Sequence, residues 1–174
     1  MRQLSSNVYT ETEIRGCDPS IVLTREGAVF IDTAQWITNL EQMIAFAEEK
    51  AGTIKYLVNT ESHIDHIFGN HWLKKAGATI IGQEKILDGF FKIPPAFHMA
   101  THEYNADIIR RQDPGALDRM PSEEEYLVAK PDITFTDKLT FRLGDHTFRC
   151  VHTPGHSPEQ TSVYVPEERC VFVG

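Results

Sequence analysis

The stretch Asn59-Thr60-Glu61-Ser62-His63-Ile64-Asp65-His66 constrains the fold of this chain more than any other, because it crowds several cation-binding side chains into one short segment. Ile54 to Val58 before it is a run of mostly β-branched and apolar residues, as in a buried strand, and from Ile67 a helical pattern runs to Gly77. The cluster therefore sits on a strand-to-helix turn. Alternation along the segment puts Glu61 and His63 on one side, where one cation could be held by both, while Asp65 and His66 begin the next turn and can face a second. Imidazole with carboxylate suits zinc, and a carboxylate-richer set also suits manganese or iron. Taken alone, Ser62 to Asp65 fits a helix-capping box, and an acid in a first helical turn is favoured without any metal. The flanking strand and helix, and a second motif His152-Thr153-Pro154-Gly155-His156 at another strand end, favour the metal.

These residues resemble the metallo-β-lactamase fold hydrolases, whose ligand motif HxHxDH is followed later by a Gly-His at the end of another strand. Here ESHIDH keeps His63, Asp65 and His66 in register, HTPGH supplies His156, and Gly27-Ala28-Val29-Phe30-Ile31-Asp32-Thr33 is similar to the family's early hairpin strand ending in Asp-Thr. The similarity runs from about Asn7 to Gly174. It implies an α/β chain folded as an αββα sandwich, with up to two zinc ions at one edge between the sheets. It further implies a hydrolase that acts on a small-molecule ester, thioester or lactone through a hydroxide formed on the metal. Glu61, His63 and His156 would hold the first ion; Asp65 and His66 would contribute to the second, and Asp65 would also orient the hydroxide as the catalytic residue.

Two departures from the family pattern shape the expectation. Glu61 stands where the family has its first histidine, and its added negative charge would make a bound water less acidic. The family also places a bridging Asp after a strand of the type Cys170 to Gly174, and a further His beyond it, and the chain reaches Gly174 before either. The expected unit is thus one sandwich whose second half is incomplete, either truncated or completed by a partner copy, as a homo-oligomer or domain-swapped dimer, and weak as a hydrolase alone. The alternative is a non-catalytic metal-binding or scaffold module of the same fold.

Among the remaining candidates, His152 reads as making a buried hydrogen bond or one behind a ligand, His71 lies five residues after His66 on the helix and off its face, and His98, His102 and His146 read as solvent-facing or turn residues. Asp32 reads equally as a strand-end turn residue or as a group that orients a ligand. A net charge of −8 argues against a binder of nucleic-acid backbone. Three scattered cysteines, Cys17, Cys150 and Cys170, give neither a disulfide framework nor a CxxC zinc site, and fit a reducing compartment. No signal-peptide core and no run of membrane-spanning length is evident, so cytoplasm is the expected location.

Along the chain, Val8-Tyr9, Ile21 to Leu23, Ala28 to Ile31, Ile54 to Val58 and Thr79 to Ile81 read as strands, with helices at Trp36 to Ala47 and from His66 to Ala76. From Gln83 to Lys130, Pro94-Pro95, Asp113-Pro114-Gly115 and Pro121 break the pattern, and the segment reads as an insertion into a single domain. Its Phe90, Phe91, Phe97, Met99 and Tyr104 would form either a substrate lid or a packing face. Ile133 to Phe135, Leu139 to Leu143 and Thr147 to Val151 read as antiparallel strands, and Thr161 to Val165 with Cys170 to Val173 as a hairpin.

Overall fold

The computed structural model describes the backbone of residues 1–92, 95–122, 124–125 and 129–174, and the side chains of these except at 90 and 95–101. Seven strands, β1 (Arg2–Gln3), β2 (Val8–Thr10), β3 (Ser20–Thr24), β4 (Gly27–Ile31), β5 (Ile54–Val58), β6 (Thr79–Gln83) and β7 (Ile133–Phe135), form one sheet in chain order. Pairing is antiparallel up to β4 and parallel from β4 to β7. Four more, β8 (Lys138–Leu143), β9 (His146–His152), β10 (Thr161–Val165) and β11 (Cys170–Phe172), form an antiparallel sheet in the order β11-β10-β9-β8.

The β4 sequence GAVFI is apolar throughout because the strand is buried on both faces. Val29 and Ile31 point to the second sheet, where they meet Phe148, Cys150, Val163 and Val165. Ala28 and Phe30 point the other way, against α1 (Ile37–Ala51), whose Leu40, Met43 and Ala47 recur at helical spacing. A large side chain fully buried in such a layer stabilises by about 1.5–3 kcal/mol. The helix ends at Gly52, whose φ of 74° is a left-handed conformation that suits glycine.

Several expectations are corrected. The helix expected from His66 to Ala76 is two short ones, α2 (Ile64–Ile67) and α3 (Asn70–Lys75). The break has a local cause: Gly69 N–H donates to Thr33 Oγ1 at 2.8 Å rather than up the helix ladder. A Cβ at Gly69 would lie 2.4 Å from Leu40 Cδ2, so glycine is what lets the chain press against α1 there. Ile133 to Phe135 is not antiparallel to the strands that follow; it joins the first sheet parallel to β6, with Ile133 opposite Ile81. A period-two pattern reports which residues face inward, not the direction of the partner strand.

The segment read as patternless contains α4 (Pro95–Gln112), an 18-residue helix. Ile109 and Ala116 are buried there with Ile37, Ile67 and Phe68, and Phe91 packs against them, so this part of the segment packs onto the body. Tyr104 is exposed, and the side chains of Phe90, Phe97 and Met99 lie outside the described residues. Among the described residues no helix is long and apolar enough to cross a membrane.

Candidate metal centre

The candidate ligands lie on the turn after β5, in α2 and on the loop from β9 to β10, with Asp32 at the end of β4 beside them, along the edge where the two sheets meet. One backbone bond, Thr161 N–H to Thr60 O at 2.8 Å, joins the sheets at this point. Glu159 reinforces it: its buried carboxylate accepts from Ser62 N at 3.0 Å and from Ser62 Oγ at 2.5 Å. Ser62 is therefore engaged with the opposite loop, and α2 has no side-chain cap. His156 is set by its own N–H, which donates to Gln160 Oε1 at 3.0 Å.

His63 and His156, 93 positions apart, meet here with Nδ1 and Nε2 separated by 3.2 Å. Both rings are exposed, while the carboxylate between them, Glu61, is only 2 % exposed. Glu61 Oε2 lies 2.5 Å from His63 Nδ1 and 3.5 Å from His156 Nε2. Despite that proximity it is a buried oxygen with no hydrogen bond, the contacts lacking the alignment of an N–H donor. One donor atom from each of the three lies within 4.8 Å of the others. A buried, unbonded carboxylate oxygen between two imidazole nitrogens fits a divalent cation well.

His66 sits deeper. Its Nδ1 is 2.9 Å from Asp32 Oδ2 and its Nε2 is 2.9 Å from Glu61 Oε1, with Asp65 Oδ2 at 3.8 Å from Nε2. Burial alone would lower the imidazole pKa, but the Asp32 charge and hydrogen bond, helped by Glu61, outweigh it and raise the value to about 10. Both ring nitrogens thus face carboxylate oxygens, an arrangement satisfied by two protons, or by one proton on Nδ1 and a cation at Nε2. For Glu61, burial raises the pKa, and the hydrogen bond from His66 with the charges of His66, His63 and His156 brings it below its ordinary value.

Asp32 closes the turn after β4 and also contacts His66. It holds a left-handed φ of 58° at the end of β4, and its carboxylate accepts from Thr60 N at 2.7 Å and Thr60 Oγ1 at 2.6 Å while facing His66. His152 bonds Pro158 O at 2.8 Å and shapes the loop behind His156. His71 lies 3.6 Å from Glu125, and His102 bonds Pro121 O, both away from the cluster. His146 takes the turn role rather than the solvent-facing one: it follows the turn between β8 and β9 and is 3 % exposed, between Asp145 and Glu168. The side chain of His98 lies outside the described residues.

Two residues escaped the sequence reading. Glu159 carries no motif, and only its place in the loop after His156 hints at a role. Cys17, half-buried on the loop from β2 to β3, lies with Asp65 and His66 in a second group of donors within 4.8 Å of one another. Burial first, then the charges of Asp32, Asp65 and Asp18, push its thiol pKa well up. Cys17, Asp32, Glu61, Asp65, His66 and His156 line a cleft of about 700 Å³ that Val171 and Phe172 also line.

A sandwich of this topology, with its acid and imidazole side chains gathered at one edge between the sheets, defines a class of metal-site protein. The chain belongs to the metallo-beta-lactamase superfamily, whose sequence profile matches residues 15–174. Glyoxylase B2 of Dictyostelium discoideum is 29 % identical over 138 residues, covering 77 % of this chain and 39 % of that protein. The hydroxyacylglutathione hydrolase of Brucella anthropi is 25 % identical over 131 residues, covering 75 % and 36 %. Among solved structures, the subclass B3 metallo-beta-lactamase of Bradyrhizobium japonicum superposes with a TM-score of 0.62 at 26 % identity, covering 94 % of this chain and 55 % of that one. The chain thus spans about two fifths of the length of the curated relatives it matches.

Proposed function

We propose that this chain carries the metal-binding part of a hydrolase that cleaves a small ester, thioester or lactone, with a thioester first. The observation that carries this reading is the convergence of His63, His156 and the unbonded Oε2 of Glu61 on one point. In it, Glu61, His63 and His156 hold one divalent cation, zinc by donor type, and Asp65 and His66 contribute to a second. When bound, such cations supply Lewis acidity to a carbonyl oxygen and acidify water.

The chain's own residues do the rest. Asp32 keeps the His66 proton on Nδ1 and so turns Nε2 toward the site. Asp65, half-buried on the cleft wall, is placed to accept a hydrogen bond from the attacking water and to orient it. Glu61 in place of an imidazole brings extra negative charge, which lowers the acidity of nearby water and moderates turnover. The thioester preference is supported by the relative named a hydroxyacylglutathione hydrolase.

Metal content per chain, by plasma mass spectrometry after equilibration with zinc, tests the binding part. Glu61→Ala is expected to lose zinc and Glu61→His to retain it; equal retention in wild type and both variants would remove Glu61 from the ligand set. A panel of thioester, lactone and phosphodiester substrates tests the class. Zinc-dependent turnover confined to the phosphodiester would overturn the thioester assignment.

A further inference from the structure

We propose that Cys17 supplies a thiolate ligand to the second cation, so that this ion is held by Cys17 Sγ, Asp65 and His66 Nε2 together. The inference deepens the metal-binding reading above and rests on it. Thiolate, carboxylate and imidazole are all donors that zinc accepts. Here one donor atom each from Cys17, Asp65 and His66 lies within 4.8 Å of the other two.

The loop that carries Cys17 is built to approach this point. Gly16 has φ +108°, a conformation that side chains rarely adopt, and a Cβ placed on it would lie 2.9 Å from Asp65 Cβ. Only glycine allows the loop to press against Asp65 in this way. Cys17 Sγ is 3.1 Å from Asp65 O and 3.4 Å from Thr33 O, so the sulfur is anchored to the two turns that present His66. Cys17 also lines the cleft, whereas Cys150 is buried in the sandwich core and Cys170 packs at its border.

Coordination here replaces the S–H bond by a sulfur–metal bond, and the thiol proton passes to solvent. Nothing is oxidised or reduced. A soft sulfur donor selects a thiophilic ion, zinc rather than manganese or magnesium, at the second position. The first position, with two imidazoles and a carboxylate, carries no such bias toward sulfur-loving metals.

Cobalt(II) titration of the full chain provides the test. Thiolate coordination gives a sulfur-to-cobalt charge-transfer band in the near ultraviolet, expected to grow as the second equivalent binds. The band should be absent in Cys17→Ser and unchanged in Cys150→Ser and Cys170→Ser, and Cys17→Ser should bind the second ion about tenfold or more weakly. Two cobalt ions bound by the wild-type chain without the band, or a band that survives in Cys17→Ser, would overturn the Cys17 assignment and leave the metal-binding reading standing. A wild-type chain that binds no cobalt would overturn both.

Discussion

Asp32 illustrates how one side chain orders its neighbours. Its two oxygens serve Thr60 N–H, Thr60 O–H and the His66 ring at once, in a buried setting. Asp32→Ala would strand those donors, and is expected to cost about 3 kcal/mol in urea unfolding and to weaken zinc binding roughly tenfold or more. A variant as stable and as zinc-avid as the wild type would show that His66 orients itself. This role was only half legible in the sequence, since a strand-end Asp before Thr fits a simple turn equally well. The Glu61 to His66 cluster was legible because its spacing and flanking elements are local. Cys17 and Glu159 were not, because each reaches the site through a tertiary contact that no spacing encodes.

Among the elements, α1 shows how a segment distant in sequence can finish a helix. Its N-cap residue, Trp36, makes no side-chain cap, and the orphan N–H of Thr38 instead donates to Asp113 Oδ2 at 2.9 Å, with Thr38 Oγ1 donating to Oδ1 at 2.6 Å. Asp113→Ala is expected to lower stability by about 1 kcal/mol, read as a shift in the urea midpoint at unchanged slope. No change would mean that water caps the helix as well as the carboxylate does. In the sequence, Asp113-Pro114-Gly115 read only as a break, and Pro95 likewise, although proline is welcome in the first turn of a helix such as α4. The strands β3 to β6 were legible from apolar runs, and β8 and β9 as antiparallel strands from their alternation.

At the scale of the whole molecule, Glu168 ties the N-terminal strands to the second sheet. It accepts from Ser5 Oγ at 2.5 Å and Asn7 Nδ2 at 2.7 Å and faces His146 Nε2 at 2.9 Å. Burial raises its pKa, but these hydrogen bonds prevail and hold it at about 2, against an ordinary 4.5. A folded value below the unfolded one means stability that is full above pH 4.5 and lost as pH falls toward 2. Glu168→Gln should therefore cost about 1–2 kcal/mol at neutral pH, with the gap to wild type closing across that window; a gap independent of pH would exclude the charge as its source.

The edge of that second sheet bears on assembly. Val163 and Val165 are fully buried, while Val171 is 58 % and Val173 57 % exposed. Among the described residues β11 pairs only with β10, leaving its outer edge free for another strand. We expect concentration-dependent self-association by light scattering, relieved by Val171→Lys; a monomer at every concentration would refute it.

The carbonyl of His66 accepts from Thr33 N and Thr33 Oγ1, each at 3.1 Å, and from Asn59 Nδ2 at 3.3 Å. For anyone who would transplant this centre into another scaffold, the consequence is practical. The eight residues from Asn59 to His66 are not a portable cassette, because the pose of the imidazole is written into the end of β4 and the start of α3. A graft must carry β3 through α3 as one piece, and a peptide of the motif alone should chelate zinc no better than any short chain bearing the same acids and histidines.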